Sequence, residues 1–136
     1  MSEPITTTIN RSVVIVRPKS AFIEWLGQVE QALGDELSRP NLEEEGTAYL
    51  IPDETINDAA QAVRYIEARW RDLFEHFLIG WVVEESLWPQ KRSLKMFREW
   101  FECIYAGMVW DLDDKTPLEI EDWDDPDFEP EPSRLH

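Results

Sequence analysis

Apolar and polar positions change rhythm several times along the chain, and each rhythm predicts an element. Residues 12–17 (S-V-V-I-V-R) form a compact β-branched run closed by Pro18. That is a strand signature, and an apolar run without polar alternation predicts burial on both faces. After Pro18 the period lengthens. Phe22, Trp25, Leu26, Val29 and Leu33 recur at helical spacing, Ser20 offers a capping oxygen and Gly34 a stop. A helix over residues 21–33 follows, with its apolar stripe on the sheet. Residues 35–46 are polar, contain Pro40 and three consecutive glutamates, and read as a loop. Residues 47–51 (T-A-Y-L-I), closed by Pro52, predict a second strand, followed by a turn-rich stretch over 53–57.

The clearest periodicity comes next. Val63, Ile66, Trp70, Leu73, Phe74, Phe77, Leu78 and Trp81 recur at steps of three and four, which predicts one helix from about Asp58 to Ile79. Glu67, Arg71 and Glu75 form a charge ladder on its other face. Trp88-Pro89 interrupts the pattern, and Ser93 then caps a short helix with Leu94, Phe97, Trp100 and Phe101 inward. Beyond it two readings compete. Leu94, Phe97, Phe101, Ile104 and Met108 fit a longer helix, whereas Gly107 and the β-rich composition of residues 103–112 favour a strand. We adopt the strand.

The predicted order is β-α-β-α-α-β: a two-layer α+β domain with about three strands and its helices on one face. If the first two strands are parallel neighbours, their crossover is expected to be right-handed. The predicted organisation is a flexible N-terminus over residues 1–10, a single domain over 11–117, and a flexible tail over 118–136.

Composition sharpens this outline. The chain has 136 residues, enough for one domain with its own core. Its net charge is −16, from 29 acidic and 13 basic residues. Contact with nucleic-acid phosphates or an anionic membrane needs concentrated positive charge, so neither is expected. Cys103 is the single cysteine, which excludes an internal disulfide and suits a reducing cytoplasm. The N-terminal residues lack a signal-peptide pattern, and no apolar run approaches the roughly 20 residues of a membrane-spanning helix. From Asp111 onward there are 11 acidic residues against Lys115 and Arg134, punctuated by four prolines. That composition predicts a disordered acidic tail.

Eleven of the 16 aromatic residues fall between Tyr65 and Trp110. Large aromatic side chains on this scale form either a core or a docking surface. Helical stripes assign most of them to a core. Trp88 and Trp110 lie outside those stripes and become docking candidates if exposed.

Other candidate chemistry is sparse. Asp72 and His76 are four apart on a predicted helix, able to share a proton or an ion, though two such ligands do not define a metal site and no metal or cofactor is assigned. The alternative is a rim histidine bonded to a carboxylate. Lys91, Arg92, Lys95 and Arg98 form a basic cluster around a predicted helix start. It reads as an anion site, as a landing place for the acidic tail, or as a solvated face with weak pairs. Arg17 and Lys19 flank Pro18 at a strand end, where open sheets place ligand crevices. Trp123 and Phe128 are isolated aromatics within the acidic tail, a mixture that suits docking to a basic, partly apolar partner. Cys103 with His76 forms a nucleophile pair only on paper, since no third member or glycine-rich elbow accompanies it.

Residues 14–26 (V-I-V-R-P-K-S-A-F-I-E-W-L), 47–52 (T-A-Y-L-I-P) and 85–102 (E-S-L-W-P-Q-K-R-S-L-K-M-F-R-E-W-F-E) together resemble a family of small bacterial proteins without an assigned activity. The resemblance spans roughly residues 12–112 and implies a soluble bacterial single-domain protein. It implies nothing about catalysis or ligands.

The leading expectation is therefore a non-enzymatic interaction protein that meets a protein partner through an aromatic surface and an acidic tail. A binder or enzyme for an anionic small molecule, built on Arg17, Lys19 and the 91–98 cluster, stands second. A nucleic-acid mimic that blocks a basic groove stands third.

Overall fold

The computed structural model describes residues 7–34, 46–113 and 115–121. Strand β1 (Arg11–Pro18) occupies the centre of a three-stranded sheet, between β2 (Thr47–Pro52) and β3 (Phe101–Ala106). Both pairings are antiparallel, so the first two strands do not form the parallel pair that would have raised a crossover rule. Helices cover one face only. β1 consequently alternates: Ser12, Val14, Val16 and Pro18 are buried, and Val13, Ile15 and Arg17 are half-buried. This corrects the expectation of a strand sealed on both sides. Antiparallel sheets tolerate one open face because their connections do not oblige helices to cover both.

Helix α1 (Ser20–Leu33) ends at Gly34, whose φ of 72° places it in the left-handed region while its N–H bonds back to Glu30. Only glycine adopts that conformation without steric cost, which is why the helix stops there. The predicted helix over 58–79 is broken into α2 (Ala59–Glu67) and α3 (Trp70–Trp81). At the break the Arg69 N–H bonds to Ile66 O at 2.9 Å, a tighter turn than the α pattern. A straight helix of that length would run roughly 33 Å. The six-residue outer strands span only about 20 Å. Breaking the helix lets α2 pack against β1 and β3 while α3 packs against α4.

A single 3₁₀ turn over Glu85–Leu87 follows, then α4 (Leu94–Trp100), capped as expected by Ser93 Oγ accepting from Met96 N at 3.1 Å. α4 passes directly into β3 without a loop. β3 starts two residues before the predicted strand and ends at Ala106. Pairing resumes only at Trp110, opposite Thr8, with Asp111 N bonded to Thr7 O at 3.0 Å. Between Val13↔Ala106 and Thr8↔Trp110 the first strand carries one extra residue, the signature of a bulge. Ser12, buried beside it, donates its hydroxyl to Gly107 O at 3.1 Å. The predicted order β-α-β-α-α-β holds, with its second helix in two pieces.

The core is aromatic and centres on Phe101, the first residue of β3. Its ring meets Phe77 at 4.8 Å, Phe97 at 5.1 Å, Phe74 at 5.2 Å and Phe22 at 5.5 Å between centroids. The contact with Phe74 is edge-on, at 87° between the planes. Such tilted and edge-on pairs add about 0.5–1.5 kcal/mol each beyond area burial. The aromatic block of the sequence is thus mostly core.

Candidate functional site

Directly paired residues on neighbouring strands share a face. On the helical face, Val14 lies between Tyr49 and Tyr105, and Val16 between Thr47 and Cys103. On the opposite face, Val13 lies between Leu50 and Ala106, and Ile15 between Ala48 and Ile104. Leu50 is 56% exposed, and Ala48 and Ala106 are exposed. None of these outer-face residues belongs to the core cluster or packs against it. Arg17 and Glu102 pair across the strands at one end of this surface, and Arg11 closes the other. The result is an apolar sheet face with charge at its ends, outside the core cluster, exposed at Ala48, Leu50 and Ala106 and half-buried at Val13, Ile15 and Ile104.

Downstream of β3 the same chain exposes Met108, Trp110, Leu112, Leu118 and Ile120, with Trp110 43% exposed. Trp110 therefore stands where a docking candidate should. Trp88 does not: it is 6% exposed and its indole N–H donates to Val82 O at 2.7 Å. Its place among surface candidates is corrected. The Trp-Pro break that removed it from any helical stripe folds it into the core instead.

The basic residues do not converge. Arg92 turns inward, donating to Pro89 O at 2.7 Å and to Glu75 at 3.1 Å, with its guanidinium 5.7 Å from the Trp88 ring centre. Arg98 clasps both carboxylate oxygens of Glu67, at 2.5 and 3.1 Å. That pairing holds the Glu67 carboxyl below its ordinary range. Lys19 donates to Arg98 O at 3.4 Å. Lys91 and Lys95 are exposed and form no ion pair with a described residue. The buried Nε atoms of Arg17 and Arg92 have no hydrogen-bond partner, and Arg17 differs in that none of its nitrogens is held by a carboxylate among the described residues. Trp123 and Phe128, and the tail beyond residue 121, lie outside the described residues, as does the loop predicted over 35–46 except for Gly46.

His76 does not bond to Asp72. Its Nδ1 meets the Tyr49 hydroxyl at 2.7 Å, joining α3 to β2. Burial pushes the Tyr49 phenol up to about 12, against a smaller downward pull from the Thr47 hydroxyl. The phenol thus keeps its proton at neutral pH, and either imidazole tautomer satisfies the contact: the hydroxyl donates to a bare Nδ1 or accepts from an Nδ1–H. Among the described residues no three His, Cys, Asp or Glu side chains gather as metal ligands. Burial, helped by Glu67 and Glu102, pushes the Cys103 thiol up to about 11. A thiol in that state is a poor nucleophile.

Two of these features escaped sequence reading. The outer face carried a signal, because residues 13, 15, 48 and 50 are apolar where a one-sided sheet would place polar residues. The Tyr49–His76 contact joins residues 27 apart through the turn of the chain, and no local spacing announces it.

Fold and surface together define a small two-layer α+β domain: a three-stranded antiparallel sheet, helices on one side and an apolar face on the other. No family model, curated protein or solved structure matches this chain. No helix among the described residues is long and apolar enough to cross a membrane.

Proposed function

We propose that this chain is a non-enzymatic interaction protein of the bacterial cytoplasm that docks a protein partner on its outer sheet face. One observation carries the reading: the strands are apolar on both sides, while the described fold covers one. Val13, Ile15, Ala48, Leu50 and Ile104 form the surface left over. Contiguous apolar patches of this kind mark interaction sites. Exposed Trp110 extends the surface with a residue type enriched at binding hot spots. The net charge of −16 selects a partner whose apolar patch is rimmed by basic side chains, and the acidic tail steers that encounter.

The anionic-ligand reading stands second. Unpartnered Arg17 Nε favours it, but Arg92 and Arg98 are already occupied by carboxylates.

The test is comparative capture from a lysate of the source organism by the full chain and by Leu50→Lys. Leu50 is exposed, so the variant should keep its circular dichroism spectrum and its stability within about 0.5 kcal/mol. A specific protein held by the wild type and released by Leu50→Lys is the expected result. Identical capture by both chains would overturn the assignment of this face.

A further inference from the structure

β2 is an edge strand, paired to β1 on one side only. The hydrogen-bond phase of the sheet shows which of its backbone groups point outward. The Lys19 N–H donates to Trp100 O at 2.7 Å, one step beyond the Pro18↔Phe101 pair. In an antiparallel ladder, bonded and non-bonded pairs alternate. Arg17, Ile15 and Val13 therefore bond toward β3, and Val16, Val14 and Ser12 toward β2. Their partners Thr47, Tyr49 and Ile51 use their backbone groups on β1. Ala48 and Leu50 then direct their N–H and C=O groups away from the sheet. Among the described residues no hydrogen bond reaches these outward groups. Both residues are exposed.

Proteins commonly blunt such an edge with charge, a bulge or proline. β3, the other edge, has these devices. Glu102 stands on it, the Phe101 N–H is taken by Phe97 O, and the strand runs into the bulge after Ala106. β2 (T-A-Y-L-I-P) carries no charge, and its single blunting residue, Pro52, stands at the end. An uncharged edge with unpaired donors and acceptors is complementary to the backbone of another extended chain.

Charge decides whose chain. In sequence, β2 lies between Glu43-Glu44-Glu45 and Asp53-Glu54. Antiparallel pairing with a second copy would set these acidic flanks against each other, and like charges opposed across strands are destabilising. At the Pro52 end the edge opens on a cleft of about 350 Å³, lined in part by Leu50, Pro52, Arg11, Asp53 and Glu54. Its two carboxylates outnumber its one guanidinium, and none of the three is ion-paired among the described residues. Those surroundings suit an incoming lysine or arginine side chain. We propose that the β2 edge binds an extended segment of a partner protein, added as a fourth strand, whose short β-run is flanked by basic residues. The segment's backbone pairs with Ala48 and Leu50, and a flanking basic side chain enters the cleft at Asp53 and Glu54. Backbone groups at the sheet edge hold this segment, whereas side chains form the outer docking face, so either site can fail alone.

Titration of the ¹⁵N-labelled full chain with the end-capped peptide K-V-T-V-T-V-K tests the edge. The expected result is saturable shifts of the Ala48 and Leu50 amides, with a Kd on the order of 1 mM. At saturation, hydrogen exchange at these two amides should slow about fivefold or more, while Thr47, Tyr49 and Ile51, already bonded to β1, change little. The same peptide N-methylated at the alternate residues that face the edge loses its donors and should bind about tenfold more weakly. Glutamates in place of both lysines should also weaken binding, more at low salt than at high. Absent or non-saturating shifts, shifts centred on Cys103 and Tyr105, undiminished binding of the N-methylated peptide, or equal binding of the glutamate-flanked one would overturn the proposal. Concentration-dependent protection of Ala48 and Leu50 without peptide would overturn it too, by assigning the edge to a second copy.

Discussion

Trp88 shows how one side chain changes role between sequence and structure. Its position beside Pro89 breaks helical spacing, and spacing alone cannot place a residue that has none. The structure buries it and gives its N–H the Val82 carbonyl at 2.7 Å, with Arg92 near the ring. A buried indole needs such a partner, because an unmet polar group in the core is costly. Trp88→Phe removes the donor, leaves the Val82 carbonyl unmet and opens a void. The expected loss is about 2–4 kcal/mol, read as a lower urea midpoint with an unchanged slope. A loss below about 0.5 kcal/mol would mean that Trp88 lies at the surface after all. The Tyr49–His76 pair teaches the same lesson, since neither residue sits at a spacing that points to the other.

At the scale of elements, periodicity located the strands and helices well because each buries one stripe or one face. It failed where geometry set the outcome. The break at Ala68-Arg69 contains no glycine or proline, so nothing local marks it. The short sheet imposes it, and Arg69 closes the turn. The strand predicted over 103–112 was right in type but ran through a bulge around Gly107. The break also creates a tie between helices: Arg98 of α4 holds Glu67, the last residue of α2. Because the folded chain holds this carboxyl below its ordinary range, the unfolded chain takes up its proton first as pH falls. The pair therefore stabilises the fold above about pH 4.3 and loses that contribution as pH drops through the depressed value. Glu67→Gln should flatten this part of the stability–pH profile, measured by urea unfolding between pH 3 and 6. An unchanged profile would show that the pair is not formed in solution.

For the whole molecule, the sequence contained more apolar surface than the described fold consumes. Residues 12–17 predicted a strand sealed on both faces, and the structure seals one. That mismatch, more than any motif, is the observation on which the proposed docking role rests. The helical side consumes the aromatics in a ring cluster around Phe101. The other side keeps Val13, Ile15, Leu50 and Ile104 in reserve. Two of the four residues of the basic cluster are taken up by carboxylates, because helices α2 and α3 bring Glu67 and Glu75 to Arg98 and Arg92, while Lys91 and Lys95 stay exposed. Spacing along one helix could not reveal carboxylates arriving from two others.

The most direct test of an open outer face is methyl NMR of the full chain with a soluble nitroxide in the solvent. Broadening by the nitroxide reports which methyls the solvent reaches. The account predicts strong broadening for Val13, Ile15, Leu50 and Ile104, and little for Val14, Val16, Ile51 and Leu78, which are at most 1% exposed. Equal protection of both sets would contradict it, since the outer face would then already be covered in the isolated protein.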